Sequence, residues 1–392
     1  MKQGWKYMKL GSASTFMSGY TPNKDEIQET GQYPYFKVAE MNKLGNEIFM
    51  VNTSLFVNHP KKVFPKGSII FPKNGGAIYT EKKRILKFDS VVDLNTEALF
   101  PNDQVNTFYL FYFLNHLRIA KFDKGGGLPS LDLKRMADDL IPVPPLPEQE
   151  RIVERLDAAF AQIDELKSNA EKQLAEARAL FQSALTQAMQ PKPGWQEKPL
   201  KDITTKIGSG ATPRGGKAVY IDNGVALIRS MNVHNGFFKY ENLAHISDEA
   251  ANLLNGVELK QNDVLFNITG ASIARCCVVP DDAIPARVNQ HVAIIRPITD
   301  IVYPRFLSYV LMSKTHQKEL LSIGLSGATR QALTKKDLEN HIVSLPSNHK
   351  QKEILEILDN FSLKVRELEE ISHKTAAECD ALKQALLRQI FE

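Results

Sequence analysis

Three features of the sequence could support catalysis or metal chemistry, but none has the spacing that its chemistry requires. Pro280-Asp281-Asp282 offers carboxylates for a divalent cation, yet it lacks the following Glu-x-Lys of a metal-dependent nuclease. The glycine run at 125–127 lacks the Lys-Ser/Thr that completes a phosphate-binding loop. The histidines considered as metal ligands show no ligand spacing: His59, His234, His245 and His291. The sequence therefore predicts no catalytic residue, no cofactor-binding residue and no metal site.

Two further residue types were candidates for chemistry and give the same answer. An adenine methyltransferase would carry Asp/Asn-Pro-Pro followed by an aromatic residue, but Pro144-Pro145 is followed by Leu146. The three cysteines form neither a disulfide framework nor a metal-ligand pattern: Cys276, Cys277 and Cys379. The absence of these catalytic motifs therefore favours a binding function over a catalytic one.

Charge is distributed unevenly along the chain. Residues 1–146 carry 19 Lys+Arg against 14 Asp+Glu, which is a net +5, and residues 192–346 carry 18 against 14, a net +4. The intervening stretches are acidic, with 5 against 8 at 147–191 and 7 against 9 at 347–392. Two basic regions separated by acidic ones suggest a polyanion bound at two places.

The acidic stretches form an internal repeat. The segments 144–190 and 346–392 align without a gap at an offset of 202 residues, with sixteen identical positions from Pro144 to Gln187. Each enters through prolines and then carries apolar residues at heptad spacing, which predicts a long helix. A helix of 40 residues would be roughly 60 Å long. We expect the two helices to pair as an antiparallel coiled coil that acts as a spacer; the alternative is two amphipathic helices packed into one core.

The basic regions are also diverged copies of each other. Ser18-Gly19-Tyr20-Thr21-Pro22 recurs as Ser209-Gly210-Ala211-Thr212-Pro213, and the pair at 41–42 recurs at 231–232. Short β-branched and aromatic runs between Gly, Asn and Pro predict mostly β lobes, with one helix late in each, at 106–121 and 304–321. With no apolar run of membrane-spanning length and no signal-peptide core, a cytoplasmic location is expected.

This arrangement resembles the specificity subunit of type I restriction-modification systems, over the whole chain. The resemblance is carried by the Pro-Leu-Pro-Glu-Gln-Glu-Arg-Ile stretch at 145–152, by Leu156, Asp157, Phe160 and Ile163, and by the glycine-rich loop leading to 328–333. The second helix departs from the pattern, with Ser-Asn-His-Lys-Gln at 347–351.

The resemblance implies an α+β fold with an internal pseudo-two-fold repeat. Two mostly-β target recognition domains, 1–146 and 192–346, would alternate with two spacer helices, 147–191 and 347–392. Each domain would read half of a bipartite, asymmetric double-stranded DNA site. Two methyltransferase subunits would dock on the chain and supply S-adenosylmethionine, and a motor-nuclease subunit could join them. A free-standing DNA-binding regulator and a protein-binding scaffold are the alternatives from other classes.

Residue type and position give the candidate DNA contacts, because Arg and Lys pair with guanine whereas Asn and Gln pair with adenine. The candidates in the first lobe are Asn42, Lys73, Asn74, Lys82, Lys83, Arg84, Lys124 and Ser130. Those in the second are Arg214, Arg229, Asn232, His234, Asn267, Thr269, Arg275, Arg330 and Gln331. For each, an ordinary surface or turn residue is the alternative, and the basic triplet 82–84 is interpreted as a phosphate clamp. In the coiled coil, we expect Leu156, Ile163 and Leu166 to pack against Leu358, Val365 and Leu368.

Overall fold

The computed structural model describes residues 4–325 and 332–392, and divides into two compact units. Unit 1 comprises residues 1–170 and 372–392, and unit 2 comprises residues 171–371. Each unit therefore contains one lobe and a segment of each long helix. The helices are α1 (Leu10–Ala13), α2 (Thr107–His116), α3 (Leu133–Ala137), α4 (Leu146–Ala188), α5 (Asp248–Asn252), α6 (Pro304–Met312), α7 (Lys314–Leu325), α8 (Lys335–Asn340) and α9 (Asn348–Phe391).

Unit 1 is built on a five-stranded sheet of order β2-β9-β6-β7-β4, with a three-stranded sheet β5-β3-β8 and the pair β1-β10. Its aromatic helix α2 packs on the larger sheet and forms the main core with it. The strands are β1 (Lys6–Lys9), β2 (Ser14–Ser18), β3 (Tyr33–Phe36), β4 (Phe49–Met50), β5 (Phe56–Val57), β6 (Ile69–Pro72), β7 (Arg84–Leu86), β8 (Val91–Val92), β9 (Thr96–Pro101) and β10 (Leu140–Val143).

Unit 2 has a four-stranded sheet of order β12-β20-β17-β18, a three-stranded sheet β16-β13-β19, and the pairs β14-β15 and β11-β21. Its strands are β11 (Gln196–Pro199), β12 (Thr204–Ser209), β13 (Val225–Ile228), β14 (Val233–His234), β15 (Phe237–Phe238), β16 (Ala244–Ile246), β17 (Val264–Asn267), β18 (Cys276–Val278), β19 (Ala286–Val288), β20 (Val292–Pro297) and β21 (Ile342–Leu345). The helix predicted at 304–321 is interrupted at Ser313, whose backbone is extended and ends α6.

Both units use the same strand connections. The order β2-β9-β6-β7 in unit 1 corresponds to β12-β20-β17-β18 in unit 2, and β5-β3-β8 corresponds to β16-β13-β19. In each small sheet the central strand pairs in parallel with one neighbour and antiparallel with the other. The repeat seen in the sequence is therefore a repeat of topology, in a mixed α and β fold.

A buried glutamine joins each lobe to its long helix. Gln149 accepts a hydrogen bond from the backbone amide of Asn106 at 2.8 Å, and its Nε2 donates to the carbonyl oxygens of Gln104 and Pro144. In unit 2, Gln351 accepts from the amide of Tyr303 at 3.0 Å. Its Nε2 donates to the carbonyl oxygens of Ile301 and Pro346. These bonds satisfy backbone groups of both the lobe and the helix entry.

In unit 1 the two helical segments lie side by side and run antiparallel. Lys383 pairs with Asp164 at 2.5 Å, and Lys167 pairs with Asp380 at 3.2 Å. The residue numbers of the paired positions rise along α4 and fall along α9, so the two segments run in opposite directions. Leu156 is buried in a core that also contains Leu387 and Phe391.

Unit 2 repeats this packing with other residues. Arg178 pairs with Glu369, and the rings of Phe181 and Phe361 stack with centroids 6.3 Å apart. Leu358 is buried in a core that also contains Leu185.

The expected packing of equivalent leucines was therefore wrong, because Leu156 and Leu358 belong to different cores. In an antiparallel pair the start of one helix lies beside the end of the other, so residues at equivalent positions along the two helices are not opposite each other. Leu166 is 56% exposed, Val365 and Leu368 are half-buried, and Ile163 is buried. Among the described residues, no helix is both long enough and apolar enough to cross a membrane.

Candidate nucleic-acid interface

The loop after β6 brings four predicted contact residues together in unit 1. Asn74 forms a β-bridge with Ser130, and the amide of Leu131 donates to the carbonyl of Lys73 at 2.9 Å. The amide of Lys124 in turn donates to the carbonyl of Ser130 at 2.9 Å. Gly75 has φ 75°, a left-handed conformation that favours glycine and turns the loop. We call residues 73–76 together with 124 and 130 the unit 1 loop cluster.

Side chains in the unit 1 loop cluster differ in availability. Lys124 is exposed and has no ion-pair partner among the residues that the structure describes. Lys73 instead pairs with Glu97 at 3.1 Å, and the Glu97 side chain is only 2% exposed. Asn74 is half-buried, with its Nδ2 3.4 Å from Asn95 Oδ1. Lys124 is thus the exposed cation of the cluster, whereas the amide of Asn74 is half-buried.

A second group in unit 1 gathers around the start of β7. Lys82 donates to Asn42 Oδ1, and Arg84 Nη2 donates to the carbonyl of Met41 at 3.2 Å. Lys83 is different, because its side chain is 2% exposed and its Nζ lies 2.6 Å from Glu81 Oε2. Burial lowers the pKa of Lys83 from its usual value. The predicted phosphate clamp must therefore be corrected at Lys83, which is buried in an ion pair. Only Lys82 and Arg84 remain candidates for phosphate contact.

Two asparagines predicted as base readers in unit 2 are buried structural residues. Asn232 donates from Nδ2 to the carbonyl of Lys239 at 2.9 Å and accepts from the amide of Arg229 at 3.0 Å. Asn267 donates from Nδ2 to the carbonyl of Ser230 at 2.9 Å. Both are fully buried, so neither side chain can reach a base in this conformation. Both residues are asparagines and therefore suit pairing with adenine equally well, but the sequence alone does not reveal that their side chains are buried.

The loop after β17 repeats the pairing of the loop after β6. Thr269 forms a β-bridge with Ala332, and the amide of Leu333 donates to the carbonyl of Ile268 at 2.8 Å. Thr269 Oγ1 also lies 2.7 Å from His291 Nδ1. Two of the predicted DNA contacts, Arg330 and Gln331, lie outside the described residues. Positions 73–76 and 268–271 therefore have equivalent places in the two lobes but carry different side chains.

Unit 2 also contains a groove lined by arginines beside the hairpin β14–β15. His234 stacks on Phe237 with ring centroids 4.8 Å apart, and burial lowers the pKa of His234. Arg366 donates to the carbonyl of Gly236 at 2.7 Å. The groove encloses about 490 Å³ and is lined by Arg178, Phe181, Gln182, His234, Asn235, Gly236, Phe237, Arg275, Met312, Ser362, Val365, Arg366 and Glu369. We call this the arginine groove.

The charges of the arginine groove are only partly neutralised. Arg178 pairs with Glu369, whereas Arg275 and Arg366 have no carboxylate partner within the described part of the chain. The sequence predicted His234 and Arg275 as contacts, whereas Arg366 and Phe237, which line the same groove, were not predicted. Arg366 lies in a predicted spacer helix, in which no DNA contact was expected, and an exposed phenylalanine in a short hairpin has no distinctive local signal.

The other two predicted arginines lie elsewhere in unit 2. Arg214 is exposed on the turn after β12. Arg229 packs over the ring of Tyr220, 5.5 Å from its centroid, and donates to the carbonyl of Asn242. Its charge is available for phosphate contact only from the exposed part of the guanidinium.

Two copies of one lobe, each with a loop that equivalent hydrogen bonds hold in place, define a tandem-repeat protein with one candidate binding loop in each copy. Both copies match the family model of the type I restriction modification DNA specificity domain, over residues 2–176 and 192–376. The chain belongs to this family and contains two tandem copies of its domain.

Curated relatives are specificity subunits of type I restriction enzymes. The chain is 28% identical to the EcoBI specificity subunit of Escherichia coli over 287 residues, which is 67% of this chain but only 59% of that protein. It is 24% identical to the MjaVIII specificity subunit of Methanocaldococcus jannaschii, over 94% of this chain and 89% of that one.

Solved structures share the fold over nearly the full length. A chain from a study of the assembly and conformational transition of a type I R-M system matches with a TM-score of 0.76 and 21% identity, over 99% of this chain and 98% of the other. The HsdS subunit of Thermoanaerobacter tengcongensis matches with a TM-score of 0.55 and 21% identity, over 100% and 97%.

Proposed function

We propose that this chain is the DNA sequence-specificity subunit of a type I restriction-modification complex, in which each lobe binds one half of a bipartite, asymmetric site. The repeated loop carries this proposal. Residues 73–76 and 268–271 follow equivalent strands and are tied down by equivalent hydrogen bonds. Loops held in this way can present polar groups to a groove at two separate places on a duplex.

The two lobes should read different bases. The unit 1 loop presents Lys73 and Asn74 before two glycines, whereas the unit 2 loop presents Ile268 and Thr269. An asparagine amide can pair with both polar atoms of an adenine edge, and a threonine offers a hydroxyl and a methyl group instead. Different side chains at equivalent places support an asymmetric site, because two identical readers on a symmetric duplex would favour a palindrome.

The long helices supply the spacing and the docking surface in this proposal. The antiparallel ion pairs within each unit, together with the heptad pattern, support an antiparallel coiled coil. Two methyltransferase subunits would dock on the chain and bind S-adenosylmethionine, and a motor-nuclease subunit could join them. The chain itself contributes DNA recognition rather than bond-making chemistry.

Reconstitution with the methyltransferase subunits tests the proposal. Methyl transfer to duplexes is measured with the chain present or omitted, and with either half-site scrambled. We expect methylation only when the chain and both intact half-sites are present. Methylation that is independent of this chain would reject the proposal. Specific DNA binding that leaves methylation unaltered would favour a free-standing regulator instead.

A further inference from the structure

A group of three potential metal ligands lies in unit 2, outside the loops already described. His316 and Glu319 are on α7, and His341 follows the last residue of α8. His316 Nδ1 lies 2.8 Å from His341 Nε2, and the ligand atoms of all three side chains lie within 4.8 Å of one another. The i,i+3 spacing puts His316 and Glu319 on one face of α7, so both can address the same point.

The backbone around this group is well fixed. The carbonyl of His341 accepts from the amide of Leu200 at 2.9 Å, and its own amide donates to the carbonyl of Leu338 at 3.2 Å. On the other side, Gln317 Nε2 donates to the carbonyl of Ala274 at 2.5 Å and so holds the start of α7. His341 is buried, His316 is partly buried and Glu319 is exposed. Ligands on fixed elements reduce the rearrangement that metal binding requires.

We propose that His316, Glu319 and His341 bind one divalent transition-metal ion, with zinc as the preferred ion. Two imidazole nitrogens and one carboxylate are a recurrent zinc donor set, with a water molecule in the fourth position. Tetrahedral ligands at about 2.0–2.1 Å from zinc lie about 3.3 Å apart. The two imidazole nitrogens are 2.8 Å apart and no pair of ligand atoms is more than 4.8 Å apart, so small side-chain rotations would complete the site. A hydrogen-bonded imidazole pair alone would not need the carboxylate.

The site would act as a structural clip. It would join α7 to the junction between α8 and β21, close in sequence to Leu333, whose amide pairs with the loop that carries Thr269. The sequence did not predict this site, because Glu319 and His341 are 22 residues apart and the three ligands form no local motif. Since a ligand that binds only the folded state stabilises it, zinc should raise the unfolding temperature.

The test uses the full chain without DNA or partner subunits, so its result does not depend on the proposed function. The protein is stripped with a chelator, dialysed, and titrated with zinc chloride while bound zinc and the unfolding temperature are measured. We expect one zinc ion per chain and a rise of about 5 °C at saturation. Cobalt(II) should give the intense visible absorption of a tetrahedral site.

Three variants separate this site from surface binding. Glu319→Gln changes an exposed position and should keep the fold, yet weaken zinc binding by about tenfold or more, because it removes a direct ligand. His316→Ala should abolish the cobalt spectrum. His349→Ala is the matched control, since it removes the exposed His349–Glu353 pair at 3.1 Å. Equal zinc affinity in the native chain and Glu319→Gln, or loss of binding only in His349→Ala, would overturn the proposal.

Discussion

The side-chain oxygen of Gln149, which is fully buried, accepts a hydrogen bond from the backbone amide of Asn106 at 2.8 Å, at the junction between the lobe and α4. The same glutamine donates twice from Nε2, so its amide satisfies three backbone groups. Asn106 in turn caps α2 by accepting from the amides of Phe108 and Tyr109. One side chain therefore couples the start of the long helix to the aromatic helix of the lobe.

We predict that Gln149→Ala destabilises unit 1 by about 3 kcal/mol, because it leaves buried backbone groups without partners. Urea unfolding followed by circular dichroism measures the change. Gln162→Ala, at an exposed position of the same helix, is the matched control and should change stability by less than about 0.5 kcal/mol. Equal midpoints for the two variants would contradict a joining role for Gln149.

Gln351→Ala should have the same effect in unit 2, because Gln351 makes equivalent bonds at 3.0–3.1 Å. Hydrogen exchange resolved by region distinguishes the two variants. We expect lost protection around Tyr303 for Gln351→Ala and around Asn106 for Gln149→Ala. Indistinguishable exchange patterns would show that the two junctions do not act locally.

Much of the architecture could be predicted because the duplication reveals which residues matter. Gln149 and Gln351 are identical across the repeat and make matching bonds, and so do Asp157 and Asp359, which accept from Tyr112 and Tyr309. Each of these repeated polar residues has an equivalent hydrogen-bonding partner in both units, because the two units share one topology. The starts of the long helices follow from proline placement, and the strand-rich character of the lobes follows from short β-branched runs.

Burial of individual polar side chains could not be predicted. Asn232 is fully buried whereas Asn74 is half-buried, although both lie beside turns rich in polar residues. Whether an amide faces a carbonyl or a groove depends on chain segments distant in sequence. The partner of each helix residue was also missed, because heptad spacing specifies a stripe but not which residue lies opposite.

Lys83 and Lys124 should respond oppositely to substitution. Lys83→Met should cost about 2 kcal/mol of stability, because it breaks a mostly buried pair with Glu81 that solvent partly screens. The folded fraction should keep its DNA affinity. Urea unfolding and DNA titration at several salt concentrations measure both properties.

Lys124→Ala should leave stability unchanged but weaken DNA binding across sequences and reduce the salt slope by about 1, as expected for a lost phosphate contact. Lys66→Ala is the control, because Lys66 is also exposed but lies before β6, whereas the unit 1 loop cluster lies after β6. If Lys66→Ala and Lys124→Ala weaken binding equally, the contact is general electrostatic attraction rather than a contact of the loop cluster.

Substitutions in the two units should affect different halves of the DNA site. Asn74→Ala should lower discrimination at one base of one half-site by about 5- to 150-fold, which corresponds to about 1–3 kcal/mol. Arg275→Ala, in the arginine groove, should alter only the other half-site. Methylation rates on a panel of singly substituted duplexes give the two profiles. Changes in the same half-site for both variants would contradict separate reading by the two lobes.

The helices should act as a ruler. Inserting one heptad after Ala170 and another after Ser372 lengthens each helix by about 10 Å, which corresponds to roughly three base pairs. The preferred gap between half-sites should increase by that amount while each half-site sequence stays the same. Duplexes with varied spacers measure the preference. Retention of the original gap at full activity would mean that the helices only pack the lobes.

The most direct test of the account is methylome sequencing of cells that express this chain with its methyltransferase subunits, compared with cells that lack only this chain. We predict methylated adenine within one split, non-palindromic motif, present only when the chain is expressed. A continuous palindromic motif, or the same methylation without the chain, would contradict the assignment of sequence recognition to its two lobes.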